Sequence, residues 1–417
     1  MTKKFPKRSW YSASSMNKRV VITGLGAISS IGIGKDAFWR SLLEGKSGIS
    51  PVSAFDTSRH FTHNAGEVKD FNSEQFLQRD RLRTMNRATQ MAVASARLAV
   101  ADACFTSDQL SGIGVGVSHG TTLGAAQAIE EVDNALVANR DADRDLFVQM
   151  PPHAAASAVA AEFGCEGPHF MVTTACSAGN YAIAYAYDQI RLNRADIMIA
   201  GASDGISRIE YTGFNQFSAV APDKCQPFDL NRKGMIPGEG AGMLILEDLE
   251  HAVKRGAAIY AEIAGYGLSC DAHHMTNASV AGIVQCMKSA LEHSGVTTAE
   301  VDYISAHGTG TRANDRAECA AIKEVFEQRY RDIPVSSIKS MLGHTMGAAS
   351  ALEAVACALV VQHDIIPPTV NFETPDPECD IDCVPNRSRK QRVAVALNNS
   401  YAFGGNNASV VFKKFTL

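Results

Sequence analysis

Short β-branched runs alternate with alanine-rich stretches along most of this chain. Val20 to Thr23 is a compact apolar run, and Gly24-Leu25-Gly26 follows it, which predicts a buried strand closed by a glycine turn. Similar runs occur at Ile113 to Val117, Asp196 to Ala200 and Gly242 to Leu246. Between them, Thr89 to Ala103, Ala154 to Phe163 and Ala178 to Asn193 have the composition of helices. The theme then repeats. Ala261 to Gly265, Tyr303 to Ala306 and Pro334 to Ser337 read as strands, and Gly347 to Val361 as an apolar helix. Val393 to Asn398 and Ser409 to Lys413 read as a hairpin around Gly404-Gly405-Asn406-Asn407. Strands without polar alternation, separated by helices, predict an α/β fold with its sheet covered on both faces.

The repetition predicts a duplicated chain: an extension over 1–18, a first half over 19–260 and a second over 261–417. Each half has a strand, a turn with a reactive residue and an apolar helix, so duplication sets two such turns face to face across a central cleft. Residues 205–240 are polar and punctuated by Pro and Gly, and read as a loop excursion of the first half. The opening strand and glycines suggest a dinucleotide site, but the full G-x-G-x-x-G is missing.

Composition narrows the function. Of 417 residues, 46% are hydrophobic and 20% charged, and the net charge is -5, so neither nucleic acid nor an acidic surface is an expected partner of the whole molecule. No apolar run reaches the length of a membrane span. Ten cysteines are present with no C-x-x-C pair, which argues against a metal knuckle and for reduced thiols in a cytoplasmic protein. The first 19 residues carry six basic side chains, several serines and no acid. That composition suits a transit peptide, or a flexible leader ahead of an internal start at Met16, and the leader is the expectation adopted here.

Four segments carry candidate chemistry. Thr173-Thr174-Ala175-Cys176-Ser177-Ala178-Gly179 sets a cysteine where a β-branched run meets a helix. A helix N-terminus stabilises a thiolate, so a lowered thiol pKa is predicted; the competing reading is one more buried thiol. His307-Gly308-Thr309-Gly310-Thr311 puts an imidazole at a strand end, with Thr309 and Thr311 free to bind a ligand or to cap the turn. Lys339-Ser340-Met341-Leu342-Gly343-His344 holds a lysine and a second imidazole, and Glu353, fourteen residues beyond Lys339, is the expected partner of that lysine. Asn399 to Asn407 places Phe403 before Gly404 and Gly405, which reads as a mobile gate or as a plain hairpin turn.

In this order and spacing, the four segments resemble the β-ketoacyl synthase family of the thiolase superfamily. The likeness runs from about Arg19 to Lys414 and includes Gln226 to Asp229, Gly238 to Gly242 and Ser269 to Thr276. It implies a thiolase-like fold, two duplicated halves in five α-β-α-β-α layers. It implies an acyltransferase in which Cys176 takes an acyl group from an acyl carrier protein and passes it to a malonyl unit with loss of CO2. The N–H groups of Cys176 and Phe403 form the oxyanion hole, His307 and His344 stabilise the enolate, and Lys339 and Glu353 support them. Thr309 and Thr311 meet the phosphopantetheine arm, Phe403 gates the malonyl pocket with Gly404 and Gly405, and Thr121 lies beside the acyl pocket. No metal, nucleotide or redox cofactor is required.

Carrier proteins are acidic, so Arg79, Arg81, Arg83 and Arg87 form one expected docking group and Arg140 and Arg144 another. The family is dimeric, with 134–153 and 173–193 near the interface. A homodimer is expected first, and the catalytic half of a heterodimer with a chain-length factor second. A non-catalytic subunit would lack the cysteine, and a thiolase would carry a second cysteine near Asn406. The His307 loop reads HGTGTRAND where housekeeping members tend to HGTSTPAGD, the gate lacks their Phe-Gly before Phe403 and their Thr before the last Asn, and Ser118 to Leu123 is more polar than usual. These departures leave fatty-acid synthesis and a specialised polyketide or polyene pathway both open.

Overall fold

The computed structural model describes residues 18–112 and 114–416; the expected N-terminal leader therefore lies outside the described residues but for Lys18. Ten strands build the framework. They are β1 (Val20–Ser29), β2 (Val115–Gly120), β3 (His169–Val172), β4 (Ile197–Asp204), β5 (Gly240–Asp248), β6 (Ala261–Cys270), β7 (Tyr303–Ser305), β8 (Val335–Ser336), β9 (Val395–Tyr401) and β10 (Asn406–Lys413). Nine helices matter here: α1 (Arg87–Asp102), α2 (Ala126–Val137), α3 (Arg144–Gln149), α4 (Ala154–Phe163), α5 (Ala178–Arg191), α6 (Arg208–Gln216), α7 (Val280–Ser294), α8 (Arg312–Phe326) and α9 (Gly347–His363).

The first five strands lie in the order β1-β5-β4-β2-β3, and the last five in the order β6-β10-β9-β7-β8. In both sets the first two pairings are antiparallel and the last two parallel. The second half therefore repeats the first strand for strand. The halves join edge to edge, where Val20–Ile22 of β1 pairs with Ala261–Ile263 of β6.

Helices α5 and α9 pack between the two sets of strands, α1 and α4 cover the outside of the first, and α7 and α8 the outside of the second. This is the thiolase-like five-layer arrangement. Helix α9 is buried from Gly347 to Val361, which explains why its sequence shows no polar face. Both central helices point their N-termini at the same cleft, and each follows a strand-end turn of its own half.

Two expectations fail. Gly24 and Gly26 do not end a strand; β1 runs through them to Ser29. A Cβ at Gly24 would stand 2.2 Å from the Ala99 carbonyl oxygen, and one at Gly26 2.0 Å from that of Ser95. These glycines let the backbone of α1 lie against the strand. The segment 205–240 is not all loop, because Ser207 caps α6 by accepting a hydrogen bond from the Glu210 N–H, 3.2 Å.

Candidate active site

Cys176 stands on a single 3-10 turn, Ala175–Ser177, that leads straight into α5. Ala175 adopts φ 48°, a strained conformation for a residue with a side chain, and the next residue is the cysteine. The turn is fastened to the second half of the chain. Ser400 and Ser350 donate their hydroxyls to the Cys176 carbonyl, at 2.9 and 3.3 Å. Ser177 donates to the Asn406 carbonyl at 2.8 Å, and Asn180 and Asn398 pair through their amides at 2.9 Å.

His344 Nε2 lies 3.1 Å from Cys176 Sγ. His307 sits beside it, ring centroids 5.4 Å apart and planes nearly perpendicular at 83°. The sulfur and one nitrogen from each imidazole all lie within 4.8 Å of one another. The His307 turn is held on both sides of the peptide. Its N–H and that of Gly308 donate to the two oxygens of Glu318, each at 2.8 Å, and its carbonyl accepts from Lys339 Nζ at 2.7 Å. Lys339 is fully buried and ion-paired with Glu353, as its spacing predicts.

The electrostatics differ from the sequence expectation in one respect. The Cys176 thiol pKa is not lowered: burial pushes it up to about 12, against the opposing pull of Lys339 and of the N–H groups of Cys176 and Phe403. A helix terminus contributes a partial charge, whereas full desolvation penalises a whole one, so burial wins. Burial also holds His307 and His344 well below the ordinary imidazole range, with the Lys339 charge adding to it. The resting site is therefore a neutral thiol facing neutral imidazoles. Burial raises the carboxyls of Glu318 and Glu353 to about 7, despite the donors that face them.

The pocket over the thiol encloses about 50 Å³. Phe403 closes it, half-buried, its ring 6.0 Å from Phe214 and 6.4 Å from Phe217. Gly404 and Gly405 behind it adopt φ 81° and 84°, which glycine tolerates and a larger residue resists, and a Cβ at Gly405 would stand 2.3 Å from Asp271 Oδ1. Thr309 and Thr311 line this pocket with hydroxyls 2.9 Å apart.

Thr121 does not line it. Its hydroxyl donates to Asp204 at 2.6 Å, and it borders a separate small cavity with Thr89, Met171 and Ser203. Asp204 also accepts from the N–H groups of Thr122 at 2.8 Å and Gly347 at 2.7 Å, tying the end of β2 to the start of α9. The arginines of the first docking group are already engaged: Arg79 with Glu74, Arg81 with Glu162, Arg83 with Asp145 and Arg87 with Glu239. Arg140 and Arg144 are exposed. Glu318, Asp204 and Ser350 escaped the sequence reading, since isolated buried polar residues carry no motif, and Ser400 lay within the Asn399–Asn407 segment without an assigned role.

Comparison with known proteins identifies the family. The family model for the β-ketoacyl synthase N-terminal domain matches residues 17–252, and that for the C-terminal domain matches residues 260–373. Nodulation protein E of Rhizobium meliloti (strain 1021) is 41% identical over 96% of this chain and 100% of its own. The 3-oxoacyl-[acyl-carrier-protein] synthase 2 of Synechocystis sp. is 40% identical over 97% and 100%. Among solved structures, the ishigamide ketosynthase/chain length factor superposes with a TM-score of 0.93 at 43% identity, over 96% of this chain and 100% of that one. A buried cysteine between two histidines, on a duplicated fold matched along both halves, places this chain in the β-ketoacyl synthase family.

Proposed function

We propose that the chain is a β-ketoacyl-[acyl-carrier-protein] synthase with Cys176 as its acyl acceptor. The contact that carries this reading is the 3.1 Å approach of His344 Nε2 to Cys176 Sγ, with His307 alongside. The Cys176 thiol adds to the carbonyl of an acyl thioester while its proton passes to His344. The Cys176 and Phe403 N–H groups, which both act on the sulfur at rest, receive the oxyanion. The C–S bond to the carrier breaks, and its thiolate takes the proton back from His344. A malonyl thioester then enters past Phe403. Its carboxylate leaves as CO2, and the enolate oxygen accepts hydrogen bonds from His307 and His344. The enolate carbon attacks acyl-Cys176, a C–C bond forms as the C–S bond to Cys176 breaks, and the departing thiolate takes up one proton from solvent, the proton that decarboxylative condensation consumes. Neutral imidazoles suit this sequence, because each carries one N–H to donate and His344 has a lone pair to receive a proton. Thr309 and Thr311 line the path of the arm, and Lys339, ion-paired with Glu353, holds the His307 carbonyl from beneath the turn.

In this reading the two halves, 19–260 and 261–417, act as one cytoplasmic enzyme on carrier-bound substrates, and Thr121 stands near the far end of the acyl chain. Leu136, Val137, Phe147 and Val148 are exposed on α2 and α3, at 66%, 80%, 52% and 57%, which suits a subunit interface. A second copy is the first reading. A chain-length factor is the second, and the likeness to the ishigamide ketosynthase/chain length factor favours it. Arg140 and Arg144 remain the better of the two carrier-docking groups.

Intact-mass measurement tests the assignment. Wild-type protein gains one acyl mass from an acyl-carrier thioester and loses it, as a 3-oxoacyl product, on addition of malonyl-carrier protein. Cys176→Ala gains nothing. Acylation of the variant, or of neither protein at any chain length, overturns the reading.

A further inference from the structure

A second cavity, about 500 Å³, opens outside the Cys176 pocket. The two share Ala219, Thr276, Asn277, Thr311 and Phe403 as walls, so the outer cavity lies directly against the thiol pocket with the Phe403 ring between them. Three cations line the outer cavity, Arg232, Lys233 and Arg312, and no carboxylate does among the described residues. Arg232 is buried and committed to Asp315 and Asp376. Lys233 and Arg312 are exposed, and neither forms a close ion pair among the described residues, although Arg312 helps to hold the Asp376 carboxyl low from a distance. That separates them from Arg79, Arg83, Lys224 and Arg316, all of which sit against acids. The loops bearing the two cations are joined by a hydrogen bond from the Gly234 N–H to the Gly310 carbonyl, 3.0 Å, so they are held side by side.

Exposed cations with no close ion pair, at the mouth of a passage whose inner walls are neutral, select an anion that stops at the mouth while its uncharged remainder goes in. We propose that Lys233 and Arg312 clamp the phosphodiester of the phosphopantetheine arm and so set how deep the thioester reaches. The clamp rests on the ketosynthase reading and deepens it: Thr309 and Thr311 meet the neutral part of the arm, and the two cations hold its charged end. Its partner is the phosphate of the arm itself, and the acidic side chains of the carrier are the alternative that the experiment separates.

The test uses two free thioesters that differ only in the phosphate, acyl-pantetheine and acyl-phosphopantetheine, with acylation of Cys176 followed by intact mass. Wild type reacts about tenfold faster with the phosphorylated thioester, the scale of two exposed charge contacts, and added salt shrinks the ratio. Lys233→Gln with Arg312→Gln brings the ratio close to one, and Lys233→Glu with Arg312→Glu inverts it. Lys254→Gln, exposed and outside both cavities, leaves it as in wild type. Equal rates in wild type, or an undiminished ratio in the double variants, overturn the clamp. A defect seen only with carrier-bound substrate also overturns it and assigns the cations to the carrier's acidic surface. Acylation from the carrier but from neither free thioester counts against the clamp too, because the phosphate then has no hold of its own. Acylation of wild type by no thioester at all overturns the ketosynthase reading beneath it.

Discussion

The two halves of the molecule share one strand order, and the same tripeptide marks their second strands: His119-Gly120-Thr121 at the end of β2 and His307-Gly308-Thr309 just after β7. Their histidines have different fates. Strand β2 continues through Gly120, so His119 stays inside the ladder opposite Gly201 and Met171. Its Nε2 meets Ser203 at 3.0 Å, and burial drives its pKa down to about 3. Strand β7 stops at Ser305, and His307 is released into the cleft, pinned by Glu318 and Lys339 beside Cys176. The turns after the third strands diverge likewise, one bearing Cys176 and the other Lys339 and His344. A repeated scaffold thus supplies equivalent places, and where a strand stops decides whether a residue is core or chemistry.

The largest effect should come from exchanging loss on the two sides. His307→Ala should lower the rate of 3-oxoacyl formation by about a thousandfold, the scale of removing one preorganised donor to a developing oxyanion. His119→Ala, if it remains folded, should lower it by less than about tenfold. Comparable losses in the two variants would erase the distinction drawn between the turns.

The support under His307 is the next place to break. Lys339→Met leaves Glu353 buried without its partner and should cost about 3–5 kcal/mol in denaturant unfolding. Lys339→Met with Glu353→Leu should recover a large part of it. A double variant no more stable than the single one would contradict the ion-pair account. A smaller loss, about 1–3 kcal/mol, is expected for Glu318→Ala, which leaves the His307 and Gly308 N–H groups without their acceptor.

The smallest and most diagnostic effect is a pH dependence. The thiol is raised to about 12 in the folded protein and ionises near 8.5 when unfolded. Its neutral form is the one the fold favours, so this group's contribution to stability is present below about pH 8.5 and lost as pH rises towards 12. Thiolate-dependent alkylation of Cys176 should accordingly climb with pH from 7 to 9 without a plateau. A plateau at or below neutrality would restore the helix-end argument over burial.

Much of this was legible in the sequence, for reasons that can be named. Apolar runs marked the strands because the sheets are covered on both faces, and the boundaries of Ala154–Phe163 fell where Gly164 adopts φ 66° and ends the helix. Cys176 and His307 stand just past strand ends beside small residues, and with Lys339 and His344 they were found because the four segments together resemble one family. Gly24 and Gly26 misled, since a glycine that admits a neighbouring helix looks the same in sequence as one that turns the chain. The thiol pKa was misjudged because sequence reveals a helix start but not the depth of burial. Arg79, Arg81, Arg83 and Arg87 looked like a docking patch until their partners, Glu74, Glu162, Asp145 and Glu239, came from elsewhere along the chain. Glu318 and Asp204 act on backbone N–H groups, which no side-chain pattern announces.

The division of labour between the halves is tested most directly by following CO2 release and acetyl-carrier formation from malonyl-carrier protein alone, in Cys176→Ala and His307→Ala side by side. The enolate is stabilised by the imidazoles and not by the thiol, so Cys176→Ala should still decarboxylate malonyl-carrier protein while His307→Ala should not. Decarboxylation that disappears with Cys176 and survives without His307 would contradict the account.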